Sequence, residues 1–304
     1  LTVSSSETWH SRYFSTQDGL RLHYREYGPR DARVVPVICL GGLTRNSRDF
    51  HDLASWLAPA RRVICPDYRG RGRSAHDPDW RNYDPSVYLR DLRHLLDVAR
   101  LHEAVFIGTS LGGLLTMGMA VLAPMAVAGA VLNDVGPELG TSGLSRIVDY
   151  IGKDHPVASW GEAVAALRRL MPGLAGQPDS VLLELARGTY REGDDGRLHV
   201  DWDIAIAKPL RAGGGPLDLD LWPIYRALAD RPTLALRGAL SDILTPETFE
   251  KMGTELPDIR RITVPDVGHT PTLAEPEVRT AIAELLDEAE ARRLTRHRAL
   301  AKLV

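Results

Sequence analysis

The chain has 304 residues, with 37 Lys+Arg against 40 Asp+Glu, a formal net charge of −3 and 2 cysteines. With 44% hydrophobic and 25% charged residues, it is excluded from the disordered and fibrous classes, and the charge balance leaves no basic footprint for nucleic acid or acidic lipid. Two cysteines exclude a disulfide scaffold and a thiolate metal cluster, and no His/Cys/Asp/Glu group has the spacing of a structural zinc site.

Leu1 to Phe14 is polar and has no apolar h-region, so no signal peptide is expected and a cytoplasmic location is. Arg12–Thr16 and Leu20–Tyr27 flank Gln17-Asp18-Gly19 and read as a hairpin, because Asp-Gly favours a tight turn. Val34–Leu40 is a short apolar run entering Gly41-Gly42. Phe50, Leu53, Ala54 and Leu57 then recur at helical spacing. Arg62–Pro66 is a second apolar run, leading into Asp67-Tyr68-Arg69-Gly70-Arg71-Gly72, and a helix is predicted over Pro85–Arg100. From Ala104 to Asn133 there is no charged residue, a stretch long enough to suggest a membrane span. Gly112, Gly113 and Gly118 punctuate it, however, and Pro124 divides it. It reads instead as a buried strand (Ala104–Gly108), a buried helix (Leu111–Leu122) and another strand (Val127–Asp134), with no membrane insertion expected.

Gly136 to Arg226 changes character. Helix-like pieces at Leu144–Ile151, Trp160–Leu170 and Ser180–Tyr190 are broken by Pro and Gly, including Gly213-Gly214-Gly215-Pro216, and Leu198–Trp202 reads as a short exposed strand. The alternation resumes with Thr233–Gly238, a helix near Pro246–Leu256, Ile259–Pro265 and a helix from Glu277, whose basic tail Arg292–Val304 reads as solvated. Apolar strands alternating with helices predict an α/β fold, a mostly parallel central sheet flanked by helices. The expected division is a core formed by 1–136 and 227–304, with 137–226 a helical cap insertion and the C-terminal helix closing the second part of the core.

Gly108-Thr109-Ser110-Leu111-Gly112 is a Gly-x-Ser-x-Gly sequence that follows a predicted strand and opens a predicted helix. A serine on such a turn is exposed and strained, and the helix N-terminus behind it favours developing negative charge. The alternative is that Ser110 only caps the helix. A hydroxyl nucleophile needs a base and the base an orienting acid. His269, in Val267-Gly268-His269-Thr270-Pro271, follows an apolar run and so falls at the C-terminal end of a strand, where open α/β sheets place their sites. Asp242, shortly after Thr233–Leu236, is the preferred acid, and Asp134, at the end of Val127–Asn133, is its competitor.

With Cys39-Leu40-Gly41-Gly42-Leu43, Asp67 to Ser74, Gly108 to Gly113, Gly238 to Asp242 and Gly268-His269 in this order, the chain resembles the α/β-hydrolase superfamily over about residues 20–290. The resemblance implies an α/β-hydrolase fold, a catalytic set Ser110, Asp242 and His269, and an oxyanion hole from the backbone N–H groups of Leu43 and Leu111. Gly41 stands where the family often has His. The Asp67–Ser74 segment is expected to be a structural turn, Arg45 and Arg48 a solvated pair in preference to a carboxylate clamp, and Cys39 and Cys65 reduced core residues. Trp160, Met171, Tyr190, Trp202 and Trp222 are expected either to wall an apolar pocket or to form the cap's own core, the latter being preferred at any one position.

Serine rather than aspartate as nucleophile points to an acyl-enzyme and away from epoxide hydrolases and haloalkane dehalogenases. The expected function is a cofactor-free serine hydrolase acting on small esters or lactones, with no metal. A ring-cleavage C–C hydrolase is disfavoured by Thr270, which stands where those enzymes commonly have Trp after the histidine. The same residues are also compatible with a cofactor-free perhydrolase and with a non-catalytic ligand receptor.

Overall fold

The computed structural model describes residues 9–140, 147–148, 150–170, 176–212 and 219–301. Leu144, Met171 and the run Gly213-Gly214-Gly215-Pro216, all singled out in the sequence, lie outside the described residues.

Eight strands form one sheet: β1 (Trp9–Ser15), β2 (Arg21–Tyr27), β3 (Val37–Leu40), β4 (Val63–Pro66), β5 (Ala104–Thr109), β6 (Val127–Asn133), β9 (Thr233–Gly238) and β10 (Arg260–Val264). Their order across the sheet is β1-β2-β4-β3-β5-β6-β9-β10. The hairpin strands β1 and β2 pair antiparallel, β2 joins β4 antiparallel, and every pairing from β4 to β10 is parallel. A two-residue side-chain period inside these runs feeds two cores, one on each face of the sheet. Ile38, Leu40 and Phe106 join the face packed against α2 (Pro85–Ala99) and α3 (Leu111–Leu122). Val37, Cys39, Val105 and Ile107 join the face under α1 (His51–Leu57) and the C-terminal helix Pro276–Ala301. The uncharged stretch from Ala104 is therefore β5, α3 and β6 in the middle of the molecule, and among the described residues no helix is long and apolar enough to cross a membrane. Cys39 and Cys65 are buried and free.

Between β6 and β9 the described residues add no strand to the large sheet. It contributes α4 (Trp160–Leu170), α5 (Asp179–Thr189) and the hairpin β7 (Tyr190–Glu192) with β8 (Leu198–Val200). The exposed strand expected at Leu198 thus has a partner, and both its ends, Leu198 and Val200, are buried. Tyr190, Trp202 and Trp222 are buried as well. The Trp202 indole donates to the Ile151 carbonyl (2.9 Å) and the Trp222 indole to Glu138 (2.6 Å). All three belong to the same buried cluster as the sheet face that carries α2 and α3.

The Asp67–Ser74 turn is held by ions. The Arg69 guanidinium, fully buried, makes a fork with Asp91 (2.8 and 2.7 Å) and further bonds to Asp77 (2.6 Å) and Asp18 (2.9 Å). Burying a cation is costly, and pairing with hydrogen bonds offsets that cost here; the three carboxylates come from three separate segments, so the pair network also ties the β1–β2 turn to α2. Hydrogen bonding from Arg69 holds the Asp18 carboxyl at about 2, below its ordinary 3.8. A depressed carboxylate adds stability above its unfolded value and loses it as pH falls through the folded one. Asp18→Asn is therefore expected to be less stable than the parent protein at about pH 6, with the gap closing between about pH 4 and about pH 2. Urea midpoints measured across that range check the convergence.

Candidate active site

Ser110 stands at the C-terminal end of β5, the strand flanked by β3 and β6. Its backbone is at φ 52° and ψ −117°, a conformation that L-residues rarely adopt, and its side chain makes no capping bond to the helix that follows. The helix-cap reading of this serine is thus excluded by its own hydroxyl. Two glycines make the turn possible. A Cβ on Gly108 would collide with the Gly112 carbonyl, and one on Gly112 with the Leu40 carbonyl, so both Gly positions of the motif are required by backbone contact. The Ser110 N–H donates to Asn133 O on β6 at 3.0 Å, which fixes the elbow to its neighbouring strand.

The hydroxyl points to the imidazole instead. Ser110 Oγ lies 3.0 Å from His269 Nε2, and His269 Nδ1 lies 2.6 Å from Asp134 Oδ2. With Nδ1–H donating to the carboxylate, Nε2 accepts the serine proton. The three residues follow β5, β6 and β10 and meet at one edge of the sheet. Asn133 Nδ2 donates to Thr109 Oγ1 (3.1 Å) and to Pro271 O (3.0 Å), anchoring the histidine loop beside the serine.

The carboxylate beside His269 is not the one preferred from the sequence. Asp134, not Asp242, is hydrogen-bonded to His269. The reason lies in how the β9 loop turns. Ser241 N–H closes on Gly238 O (2.9 Å), which brings the Ser241 hydroxyl to Asp134 Oδ2 (2.6 Å), while the Gly238 N–H donates to Oδ1 (2.9 Å). The segment expected to supply the carboxylate supplies two donors to it, and Asp242 is the next residue along. Asp134 is itself fully buried, so these bonds and the one from His269 replace the water it has lost. Asp134 is the competitor expected at the end of Val127–Asn133, a strand whose seven residues are all buried.

On the other side of Ser110, the Gly41-Gly42-Leu43 loop closes in. A methyl placed on Gly42 would lie 3.7 Å from Ser110 Cβ and 3.3 Å from Arg45 Cγ, so the loop sits directly against the serine. Gly42 O accepts from the Arg45 N–H at 3.1 Å, forming a turn around Leu43. Leu111 is the first residue of α3, where N–H groups have no partner within the helix.

Arg45 and Arg48 are not a solvated pair. Arg45 forks onto Asp49 and donates from Nη1 to Thr189 Oγ1, and Arg48 pairs with Asp201. Asn46 adds a bond to Gly188 O at 2.8 Å. These side chains therefore fasten the start of the Ser47–Phe50 turn to the insertion, a contact between residues more than a hundred positions apart that local sequence does not encode.

Comparison with known proteins agrees with this architecture. Residues 37–283 match the model of the Alpha/beta hydrolase family. The chain is 35% identical over 268 residues to the 3-hydroxybutyrate-oligomer hydrolase of Cupriavidus necator, covering 84% of this chain and 89% of that protein. It is 27% identical over 248 residues to the 2-(acetamidomethylene)succinate hydrolase of Mesorhizobium japonicum, covering 81% and 86%. Among solved structures, an alpha/beta hydrolase from Novosphingobium aromaticivorans superposes with a TM-score of 0.88 at 44% identity, covering 93% of this chain and 99% of that one.

The geometry separates the two acids experimentally. Asp134→Asn cannot accept from Nδ1–H as a charged group and favours the wrong tautomer, so hydrolysis of an activated ester is expected to fall on the order of 10³–10⁴-fold. Asp242→Asn is expected to stay within about tenfold of the parent, since the imidazole keeps its Asp134 bond. Initial rates of the two purified variants decide between them.

Proposed function

Since the chain belongs to the alpha/beta hydrolase family and is a hydrolase of that fold, we propose that it is a serine hydrolase of small carboxylic esters, lactones included, with Ser110 as nucleophile, His269 as general base and Asp134 as the orienting acid. The observation that carries this reading is the unbroken hydrogen-bond line from Ser110 Oγ through the imidazole to a buried carboxylate, 3.0 and 2.6 Å long.

The steps follow from those positions. Ser110 Oγ attacks the substrate carbonyl as its proton passes to His269 Nε2, and Asp134 stabilises the imidazolium that forms. Negative charge builds on the former carbonyl oxygen, toward which the Leu43 and Leu111 N–H groups are the proposed donors. Fixed donors in a water-poor site act on charge that exists only in the transition state, and one such donor is worth ~10²–10³ in rate. The imidazolium returns its proton to the departing alcohol, leaving Ser110 acylated. Water then attacks the acyl carbon, with His269 taking its proton, and the acid is released. No step calls for a cofactor or metal.

The likeness to the Cupriavidus necator enzyme, spanning most of both chains, supports short oligoesters of hydroxy acids as the first substrates to try. We also propose that 137–226 acts as the cap over the site and that the protein works in the cytoplasm. Hydrolysis of a panel tests the chemistry: p-nitrophenyl butyrate, linear dimers and trimers of 3-hydroxybutyrate, a lactone and a ring-cleavage dienone. Turnover is expected on the esters, with Ser110→Ala slower by at least ~10⁴-fold. Faster turnover of the dienone than of every ester, or full activity in Ser110→Ala, would overturn the assignment.

A further inference from the structure

Arg71 is fully buried, yet among the described residues it has no carboxylate within ion-pair distance. Its Nε donates to Leu43 O (2.8 Å), and its Nη1 donates to Arg69 O (2.8 Å) and Tyr88 Oη (2.9 Å). Nη2 is buried with no hydrogen-bond partner. The guanidinium carbon lies 4.9 Å from the Tyr88 ring centroid, 5.8 Å from that of Tyr68 and 5.9 Å from that of Tyr83. Ring faces attract a cation, but they do not neutralise it. Arg69, two residues earlier, gathers three carboxylates, so the chain does supply anions to one buried arginine of this turn and withholds contact from the other.

What Arg71 holds is the loop facing Ser110. Its bond to Leu43 O has a counterpart in the Tyr68 hydroxyl, which donates to Gly41 O at 3.2 Å. The carbonyls on both sides of Gly42 are thereby fixed from one direction, and the Gly42 carbonyl is taken up by the Arg45 N–H. The Gly42–Leu43 peptide, which carries the Leu43 N–H, is thus held by Arg45 at its own carbonyl and by Tyr68 and Arg71 at the carbonyls of the peptides before and after it. Outside, the insertion seals the arginine. Arg71 forms an antiparallel bridge with Trp202, Gly72 N–H donates to Asp201 O (3.2 Å) and Asp203 N–H donates to Gly70 O (2.7 Å). Water is kept from the charge, so its field is less screened than that of a surface arginine.

Resting on the serine-hydrolase reading, we propose that Arg71, with Tyr68, is a positioning residue of the oxyanion site. It pins the Leu43 carbonyl, one peptide beyond the Leu43 N–H, and sets against the loop that faces Ser110 a buried positive charge with no contacting carboxylate among the described residues. A neutral donor would supply the pin alone. The guanidinium supplies the pin and the field.

The test compares the parent protein with Arg71→Met, Arg71→Lys and Tyr68→Phe on a matched pair of substrates, an activated ester and its thiono ester, where C=S replaces C=O. An oxyanion site built from N–H donors favours oxygen over sulfur, and a merely destabilised fold slows both alike. Arg71→Met is expected to lower kcat for the oxo ester by ~10–10²-fold, with KM changed by less than about threefold and the oxo/thiono rate ratio reduced. Arg71→Lys, which keeps the charge but not the fork, is expected to recover part of both. Tyr68→Phe removes one hydroxyl from the second pin and is expected to lower the ratio in the same sense. A folded Arg71→Met with kcat and ratio within about twofold of the parent would overturn the proposal. If the arginine variants do not fold, an unchanged ratio in Tyr68→Phe overturns it. A parent protein without Ser110-dependent ester turnover would instead overturn the reading on which it rests.

Discussion

At φ 52° and ψ −117°, the Ser110 backbone occupies a conformation that costs on the order of 1–3 kcal/mol for a residue with a side chain. It is maintained because β5 is paired on both sides, with β3 and with β6, and because α3 presses so closely on the strands that only glycine fits at 108 and 112. The strain is the means by which a hydroxyl at the head of a helix is turned away from capping that helix and toward His269. Relaxing it would return the oxygen to the helix N-terminus, where it could serve only the fold.

The remaining parts of the site are loops brought to the same edge by a parallel sheet. In such a sheet the C-terminal ends of successive strands lie together, so residues far apart in the chain are neighbours. Asp134 follows β6, beside the serine's strand, and the β9 loop buttresses it through Gly238 and Ser241. The β10 loop then reaches across to place His269 between carboxylate and hydroxyl. The Asp67–Ser74 turn performs two tasks at once. Arg69 satisfies its charge within the core, and Arg71 reaches the loop that faces the serine while its backbone bridges to the insertion.

Much of this is legible in the sequence, for local reasons. Apolar runs of strand length, the Asp-Gly hairpin and the helical spacing in Pro85–Arg100 report burial and periodicity, which the chain carries residue by residue. α3 and α4 begin and end where the pattern predicts, at Leu111–Leu122 and Trp160–Leu170. Ser110 can be read because it directly follows a buried run, and His269 because it lies in the loop after a strand-length one. The choice between Asp134 and Asp242 cannot, because both satisfy that rule. What separates them is that the β9 loop folds back so that Ser241, one residue earlier, faces the carboxylate on β6. Arg45 and Arg48 escape a local reading for a similar reason: Thr189 and Asp201, which hold them, are brought near only by the tertiary fold. The same is true of Arg71, whose contacts with Leu43, Tyr88 and Trp202 are set by the tertiary fold.

The most direct measurement on the central claim is covalent trapping. Diethyl p-nitrophenyl phosphate transfers its phosphoryl group to an activated serine and releases p-nitrophenol, leaving a stable ester that mass spectrometry locates by peptide. One diethylphosphoryl group per chain, on Ser110, is the expected result, with p-nitrophenol released in equal amount. Labelling at another residue, or none while the protein remains folded, would contradict a nucleophile held ready by His269 and Asp134.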